Sequence, residues 1–342
     1  RLIALHKILS IMNLSYSVVI RTLGNTGIKY QALLQSIESQ TIQPEEIIVA
    51  IPNGYELDYQ LGTERIVHCE KGMVMQRAIG IAETKSEYIL VCDDDIQFAP
   101  NMVEELYKYL IQNNLNCCLP MEGVDDKWGT DRLNLRYPLS TRLRGRFTGQ
   151  MLTGYGHSKY LDVLTYTAGH KVYVNSNELD KCYLCTTACF QCFFIKTDLA
   201  KAAHYEEELW LQEGSLTSYA AYDEPVFFSK LNLLGLRMAY ALRVRYQHLD
   251  AGVGRKATNK IEAKKIRYFS IARNRTIYWY KYIYTTAPTF GKKILALLGG
   301  LYGLTNYALL TILINLRPRH FRSLSALFKG YKEALEYIKI SK

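Results

Sequence analysis

Tyr88-Ile89-Leu90-Val91-Cys92-Asp93-Asp94-Asp95 decides how the rest of the chain is read. An apolar run of this length reads as a strand buried on both faces. Three carboxylates follow it directly. In open α/β sheets the ligand crevice lies beyond the carboxyl ends of the strands. Adjacent carboxylates in such a place repel one another unless a cation sits among them. Asp93 and Asp95 are spaced to share one hard divalent cation while Asp94 turns away, and such a cation also bridges phosphate oxygens. The competing reading is a solvated acidic turn.

Working outward, Ser17–Thr22, Ile47–Ala50 and Arg65–His68 read as three more strands, closed by the turn residues Gly24-Asn25-Thr26-Gly27 and Pro52-Asn53-Gly54. Between them, Leu33, Leu34 and Ile37 fall at helical spacing, as do Met73, Val74, Arg77, Ala78, Ile81 and Ala82. Strands alternating with helices at short intervals imply an α/β fold with a mostly parallel central sheet and flanking helices. Residues 112–180 show few long periodic runs. Lys127-Trp128-Gly129 and Arg142–Arg146 read there as mobile loops over a site.

Further on, Asp223-Glu224-Pro225 opens a helical stripe of Phe227, Phe228, Leu231 and Leu234 that ends at Gly235. A carboxylate pair there suits the positive end of a helix dipole, so Asp223 as a helix cap is the plain reading. Arg237–Val244 reads as a strand, and His248 follows it into a Gly-containing loop, where a metal role competes with a structural one.

Eight cysteines bear on compartment and metal content. Cys182, Cys185, Cys189 and Cys192 have spacings used by zinc knuckles and iron–sulfur sites. However, Cys189-Phe190-Gln191-Cys192-Phe193-Phe194-Ile195 reads as a buried strand with thiols as small core residues. A chain of 342 residues needs no disulfide framework, and Arg1–Met12 carries no signal-peptide cleavage pattern. A cytoplasmic chain with reduced thiols is expected.

The charge is uneven. Residues 255–342 hold 18 Lys/Arg and 3 Asp/Glu, a charge of +15, and the rest of the chain carries −5 out of a net +10. This division gives two expected units: an α/β domain over 13–254 and a basic, apolar, helical extension over 255–342. Ile294–Leu316 contains no charged residue, with Lys292 and Lys293 before it and Arg317, Arg319 and Arg322 after it. Its length suffices to span a bilayer. Gly299-Gly300 invites a break, and positive charge at both ends disfavours a single crossing. Helices lying in or on the membrane surface are expected, with core packing as the alternative. No nucleic-acid-binding motif accompanies the basic residues.

The order of these features resembles glycosyltransferase family 2, the inverting, nucleotide-sugar-dependent enzymes of the GT-A fold. The resemblance covers roughly residues 15–252. It rests on Ser17–Thr22, on Leu34–Thr41 with its L-x-S-x-x-x-Q-T pattern, on Gln76–Ile81, on Asp93-Asp94-Asp95 as D-x-D, on the acidic pair Asp223-Glu224, and on His248. Arg21 stands where the family usually has Pro, Ala78 where it has Asn, and the acidic pair is inverted in order. The resemblance implies a GT-A, Rossmann-like sheet and Mg²⁺ or Mn²⁺ held by Asp93, Asp95 and His248. It also implies donor contacts from Thr22, Arg77, Asp93 and Asp94, and Asp223 or Glu224 as catalytic base. The tail resembles that of bacterial polysaccharide and O-antigen transferases. This implies a glycan or lipid-linked glycan acceptor and a peripheral place on the inner face of the cytoplasmic membrane. A sugar nucleotidyltransferase and a non-catalytic binding protein on the same fold are the alternatives.

Overall fold

Short apolar runs become the strands of one sheet. The computed structural model describes residues 14–123, 139–155, 158–174, 179–216, 219–249, 260–316 and 321–341. The first half alternates as expected: β1 (Tyr16–Arg21), α1 (Ile28–Glu38), β2 (Glu46–Pro52), β3 (Glu64–Cys69), α2 (Met73–Glu83), β4 (Tyr88–Asp93), β5 (Ile96–Phe98), α3 (Met102–Gln112) and β6 (Cys117–Glu122). Next come α4 (Leu139–Thr148), β7 (Met151–Tyr155), β8 (Tyr160–Leu164), β9 (His170–Val174), β10 (Tyr183–Cys185), β11 (Cys192–Lys196) and α5 (Thr197–Ala202). A 3₁₀ segment (Tyr205–Leu211), α6 (Asp223–Leu233) and β12 (Met238–His248) follow. The C-terminal part is helical: α7 (Lys260–Tyr278), a π-helical turn (Trp279–Tyr284), α8 (Phe290–Ile314) and α9 (Phe321–Ile340).

The sheet runs β3-β2-β1-β4-β11-β6-β12-β10-β8-β9-β7, with β5 added beside β12. β3, β2, β1 and β4 pair in parallel, and so do β6 and β12. β11 runs antiparallel between β4 and β6, and the pairs β12–β10, β12–β5 and β8–β9 are antiparallel as well. Burial on both faces explains the continuous apolar runs of β1, β2 and β4. One core lies on each face: Val19, Ile48 and Val91 point to one, Val18, Val49 and Leu90 to the other. The first of these cores also takes in Ile277 and Tyr278 of α7 and Ala334 of α9, so the C-terminal helices close the same body.

Four local expectations change. Arg142–Arg146 lie in helix α4, not in a loop; Lys127-Trp128-Gly129 fall outside the described residues. Gly299-Gly300 does not break α8. A Cβ at Gly299 would meet Tyr166 at 2.7 Å and one at Gly300 would meet Trp279 at 2.2 Å, so both glycines serve close packing. Asp223 is the first residue of α6, after the N-cap Tyr222, and its carboxylate accepts from Arg77 instead of capping the helix. Finally, β12 extends to His248, which is therefore a strand residue rather than a loop residue.

The cysteines follow the same logic. Cys92, Cys117, Cys118, Cys185 and Cys192 are buried, and Cys192 lies opposite Cys92 across the β4–β11 pair. Burial pushes the Cys117 and Cys192 thiols up, which disfavours the thiolate that a metal needs. Cys185 on β10 and Cys192 on β11 are three strands apart in the sheet. At ordinary strand spacing that is about 14 Å, too far for one metal ion. Elemental analysis of purified protein is expected to find neither zinc nor iron in stoichiometric amount. One equivalent of either, lost on Cys189→Ser, would overturn the reading of these thiols as packing residues.

Candidate active site

The parallel register of β1 and β4 sets Arg21 beside Asp93. Arg21 Nε meets Asp93 Oδ1 at 3.0 Å. Arg77, one of the buried residues of α2, reaches the same oxygen at 3.3 Å. Its other terminal nitrogen donates to Asp223 Oδ2 at 2.6 Å. The Arg77 side chain is only 3% exposed, and its guanidinium lies over the Phe190 ring at 4.1 Å. Burial opposes the Arg77 charge, but Asp93 and Asp223 hold it firmly protonated. One guanidinium thus ties the end of β4 to the start of α6.

Asp94 turns the other way. It accepts the Thr22 hydroxyl at 2.5 Å and the Thr26 hydroxyl at 3.3 Å, and Thr22 Oγ1 accepts the Gly24 N–H at 2.9 Å. Burial raises Asp94 to about 6, against the opposing pull of the Thr22 hydrogen bond.

Asp95 is placed by the short strand after it. β5 pairs with β12 so that Ile96 lies opposite His248, and Leu249 N–H donates to the Asp95 carbonyl. His248 Nε2 then stands 3.2 Å from Asp95 Oδ2, with Glu122 Oε1 3.9 Å from its Nδ1. Two donors at right angles on an ion with bonds of ~2.1 Å are ~3.0 Å apart, so Asp95 and His248 fit as neighbouring ligands. Among the described residues no group of three or more His, Cys, Asp and Glu forms a complete cage. Oxygen and imidazole donors with open positions suit Mg²⁺ or Mn²⁺, which take their other ligands from water and phosphate. Asp93 Oδ1 is engaged by Arg21 and Arg77, so the structure brings Asp95 and His248 together and gives Asp93 cationic partners of its own.

Glu224 occupies the other side of the network. A cavity of about 320 Å³ opens there, lined by Glu224, Asp162, His170, Gln150, Cys189 and Tyr222 among others. Glu224 Oε1 accepts the Phe190 N–H at 3.1 Å. Burial, reinforced by the Asp223 charge, pushes Glu224 up to about 7. Burial alone would lower His170, but Asp162, 3.2 Å from its Nδ1, outweighs it and raises the pKa. Tyr222 holds the turn before Glu224 with φ of 74°, in the left-handed region that non-glycine residues seldom adopt. Its hydroxyl donates to the Ala168 carbonyl at 3.0 Å, and its ring packs on Tyr278. Asp162, His170 and Gln150 are site residues that local sequence patterns did not reveal. They converge only through the β8–β9 hairpin and the turn after α4.

A buried and a partly buried carboxylate bridged by an arginine, an acidic turn beyond a parallel strand, and a polar-lined cavity beside them form one candidate site.

Residues 58–169 match the family model described as glycosyl transferase family 2.

The matched stretch contains Arg77, Asp93, Asp94 and Asp95, and it ends before Asp223, Glu224 and His248. An uncharacterized glycosyltransferase, YwdF of Bacillus subtilis (strain 168), is 30% identical over 119 residues, covering 32% of this chain and 42% of that protein. The chain therefore spans less than half the length of that relative. Two solved structures are similar in shape at low identity. A crystal structure of GalNAc-T7 with UDP, GalNAc and Mn²⁺ has a TM-score of 0.47 at 14% identity, covering 86% of this chain and 55% of that one. A crystal structure of S. aureus TarS 1-349 has a TM-score of 0.42 at 13% identity, covering 96% and 92%.

Proposed function

We propose that the chain is a glycosyltransferase that moves a sugar from a nucleotide-sugar donor to a hydroxyl of a glycan or lipid-linked glycan, by a single inverting displacement. The observation that carries this reading is the position of Glu224, a carboxylate with raised pKa lining a cavity beside the Asp93–Arg77–Asp223 network. The family match over residues 58–169 supports it.

The two acidic residues of the pair have different surroundings. Asp223 is committed to Arg77, so its role in this reading is to hold that guanidinium. Glu224 faces the cavity and is the better base: it accepts the proton of the acceptor hydroxyl as that oxygen attacks the anomeric carbon. A group titrating near 7 combines a useful ionised fraction with enough basicity to take that proton. The Phe190 N–H holds one Glu224 oxygen and so aims the other.

On the donor side, Asp95 and His248, with Asp93 nearby in sequence, would hold Mg²⁺ or Mn²⁺, which when bound neutralises charge on the diphosphate leaving group. Thr22 and Asp94, hydrogen-bonded to one another beside them, are the other donor-side residues in this reading. Arg77 acts on the donor side through Asp93, which it holds in place.

Chelation tests the metal. EDTA is expected to abolish transfer, and added Mn²⁺ or Mg²⁺ to restore it in the native chain but not in Asp95→Ala. Full activity in chelator would remove the metal from this scheme. A panel of nucleotide-sugars, read by release of nucleoside diphosphate, tests the transfer reaction itself. No release with any of them would sink it. In the same reading the chain sits peripherally on the inner face of the cytoplasmic membrane, within reach of polysaccharide intermediates.

A further inference from the structure

Helix α8 is inside out for a helix of a water-soluble body. Its buried stripe is Ala296, Gly300, Gly303, Tyr307 and Thr311. Its outward stripe is Ile294, Leu298, Leu301, Leu309 and Leu313, with Leu298 58% and Leu301 57% exposed. A helix covered on one side by its own domain ordinarily turns the apolar side inward. Here the small and polar residues pack inward and the leucines face out.

The inward face is fixed along the helix. Trp279 Nε1 donates to the Ala296 carbonyl at 2.8 Å, a Cβ at Gly303 would meet the Thr167 carbonyl at 2.4 Å, and Asn315 bonds Tyr268 at 3.0 Å. Protein contacts that run from 296 to 315 leave no stretch of α8 free to cross a bilayer alone. The helix is long and apolar enough to cross a membrane by length and composition, and most of its surface faces outward.

Helix α4 repeats the pattern. Leu139, Leu143 and Phe147 recur at four-residue spacing, and all three are exposed, at 62%, 59% and 42%. Arg144 and Arg146 stand exposed among them. The two helices meet where the Tyr302 hydroxyl donates to the Arg146 carbonyl at 2.8 Å. Neither α4 nor α8 contains an Asp or Glu, and residues 288–332 contain none at all. Lys292 and Lys293 add exposed positive charge at the start of α8.

We infer that α4 and α8 together form one docking surface for an anionic phospholipid bilayer, on which α8 lies flat in the headgroup boundary rather than crossing. Outward leucines enter the acyl boundary while arginines and lysines meet lipid phosphates, which is the chemistry of an interfacial helix. An apolar patch alone would also fit a second copy of the chain. The unbroken absence of acidic residues argues for an anionic partner, because two copies of this face would set positive charge against positive charge. The inference deepens the peripheral-membrane reading above and rests on it. It adds α4, which that reading did not include, and it fixes α8 as non-crossing.

The surface is tied to the cavity. Buried Arg275 of α7 donates to the carbonyls of Thr148 at the end of α4, and of Thr167 and Ala168 in the β8–β9 turn. Ala168 lines the cavity that holds Glu224. Docking therefore fixes the cavity wall relative to the lipid.

Flotation of the full chain with phosphatidylglycerol vesicles and with phosphatidylcholine vesicles tests the inference. Binding to the first and not the second, weakened by salt, is expected. Leu143→Glu with Phe147→Glu, and separately Leu298→Glu with Leu301→Glu, should each lower partitioning about tenfold or more. Donor hydrolysis and the circular dichroism spectrum should stay unchanged, which excludes misfolding as the cause. If the α8 pair abolishes binding while the α4 pair leaves it intact, the composite surface is wrong and the peripheral reading survives. If the native chain ignores both kinds of vesicle, both readings fall. If the α4 pair instead splits a stable dimer in vesicle-free solution and leaves flotation unchanged, the face belongs to a second copy and the inference is overturned.

Discussion

Glu224→Gln is expected to lower turnover by about 10²–10⁴-fold while donor affinity stays nearly constant. Gln keeps an oxygen for the Phe190 N–H, so the helix start stays in place and only the proton acceptor is lost. The pH profile supplies a second readout. Glu224 titrates near 7 in the folded chain, so turnover of the native protein should rise with pH through that region. The stability effect has the opposite sign. Because the folded-state pKa lies above the unfolded value, the folded state holds the proton more tightly. Stability from this group is present at low pH and is lost as pH rises through about 7. Glu224→Gln should therefore be inactive yet melt at a higher temperature than the native chain at pH 8, with the difference closing in mild acid. Asp223→Asn should show a different signature, because it weakens the grip on Arg77 rather than removing the base. Equal, small effects of both substitutions on turnover would reduce the pair to structural residues.

Arg77→Met is expected to be the most destabilising single change in the site. It leaves Asp223, 12% exposed, without its guanidinium, and it removes one of two cations from Asp93. Breaking a buried ion pair by deleting one partner costs about 3–5 kcal/mol. For a chain of 342 residues that corresponds to a fall in melting temperature of about 4–7 °C. Arg77→Lys should recover only part of it. A single ammonium cannot reach both carboxylates in the way the guanidinium fork does, nor stack as well on Phe190. A melting temperature within a degree of the native value for Arg77→Met would show that the bridge between β4 and α6 contributes little.

The sheet was legible wherever burial on both faces wrote an uninterrupted apolar run, as in Val18-Val19-Ile20 and Ile89-Leu90-Val91. The acidic turn after β4 was legible because its chemistry is adjacent in sequence. Asp223 was not. Local pattern makes it a helix cap, and only a partner 146 residues away makes it an ion-pair residue. Arg21 looked like a mere departure from a family pattern until the β1–β4 register set it against Asp93. Helix α4 was missed for a physical reason. Its apolar residues face outward and its sequence is rich in arginine, so it lacks the inward stripe by which a helix announces itself. The Asp162–His170 pair depends on hairpin pairing between β8 and β9, which short strands with mixed burial specify only weakly.

Tyr222 shows how this site trades robustness for accuracy. A non-glycine residue held at φ 74° carries a conformational penalty of about 1–3 kcal/mol, and it persists only because its surroundings insist on it. The hydroxyl bond to Ala168 and the contact with Tyr278 supply that insistence. Glycine at this position would relax the backbone and also release the turn that aims Glu224. The cost of keeping tyrosine is therefore a standing internal tension, and its return is a carboxylate with little freedom to wander. Selection for thermal stability alone would erode this position, whereas selection for turnover would preserve it.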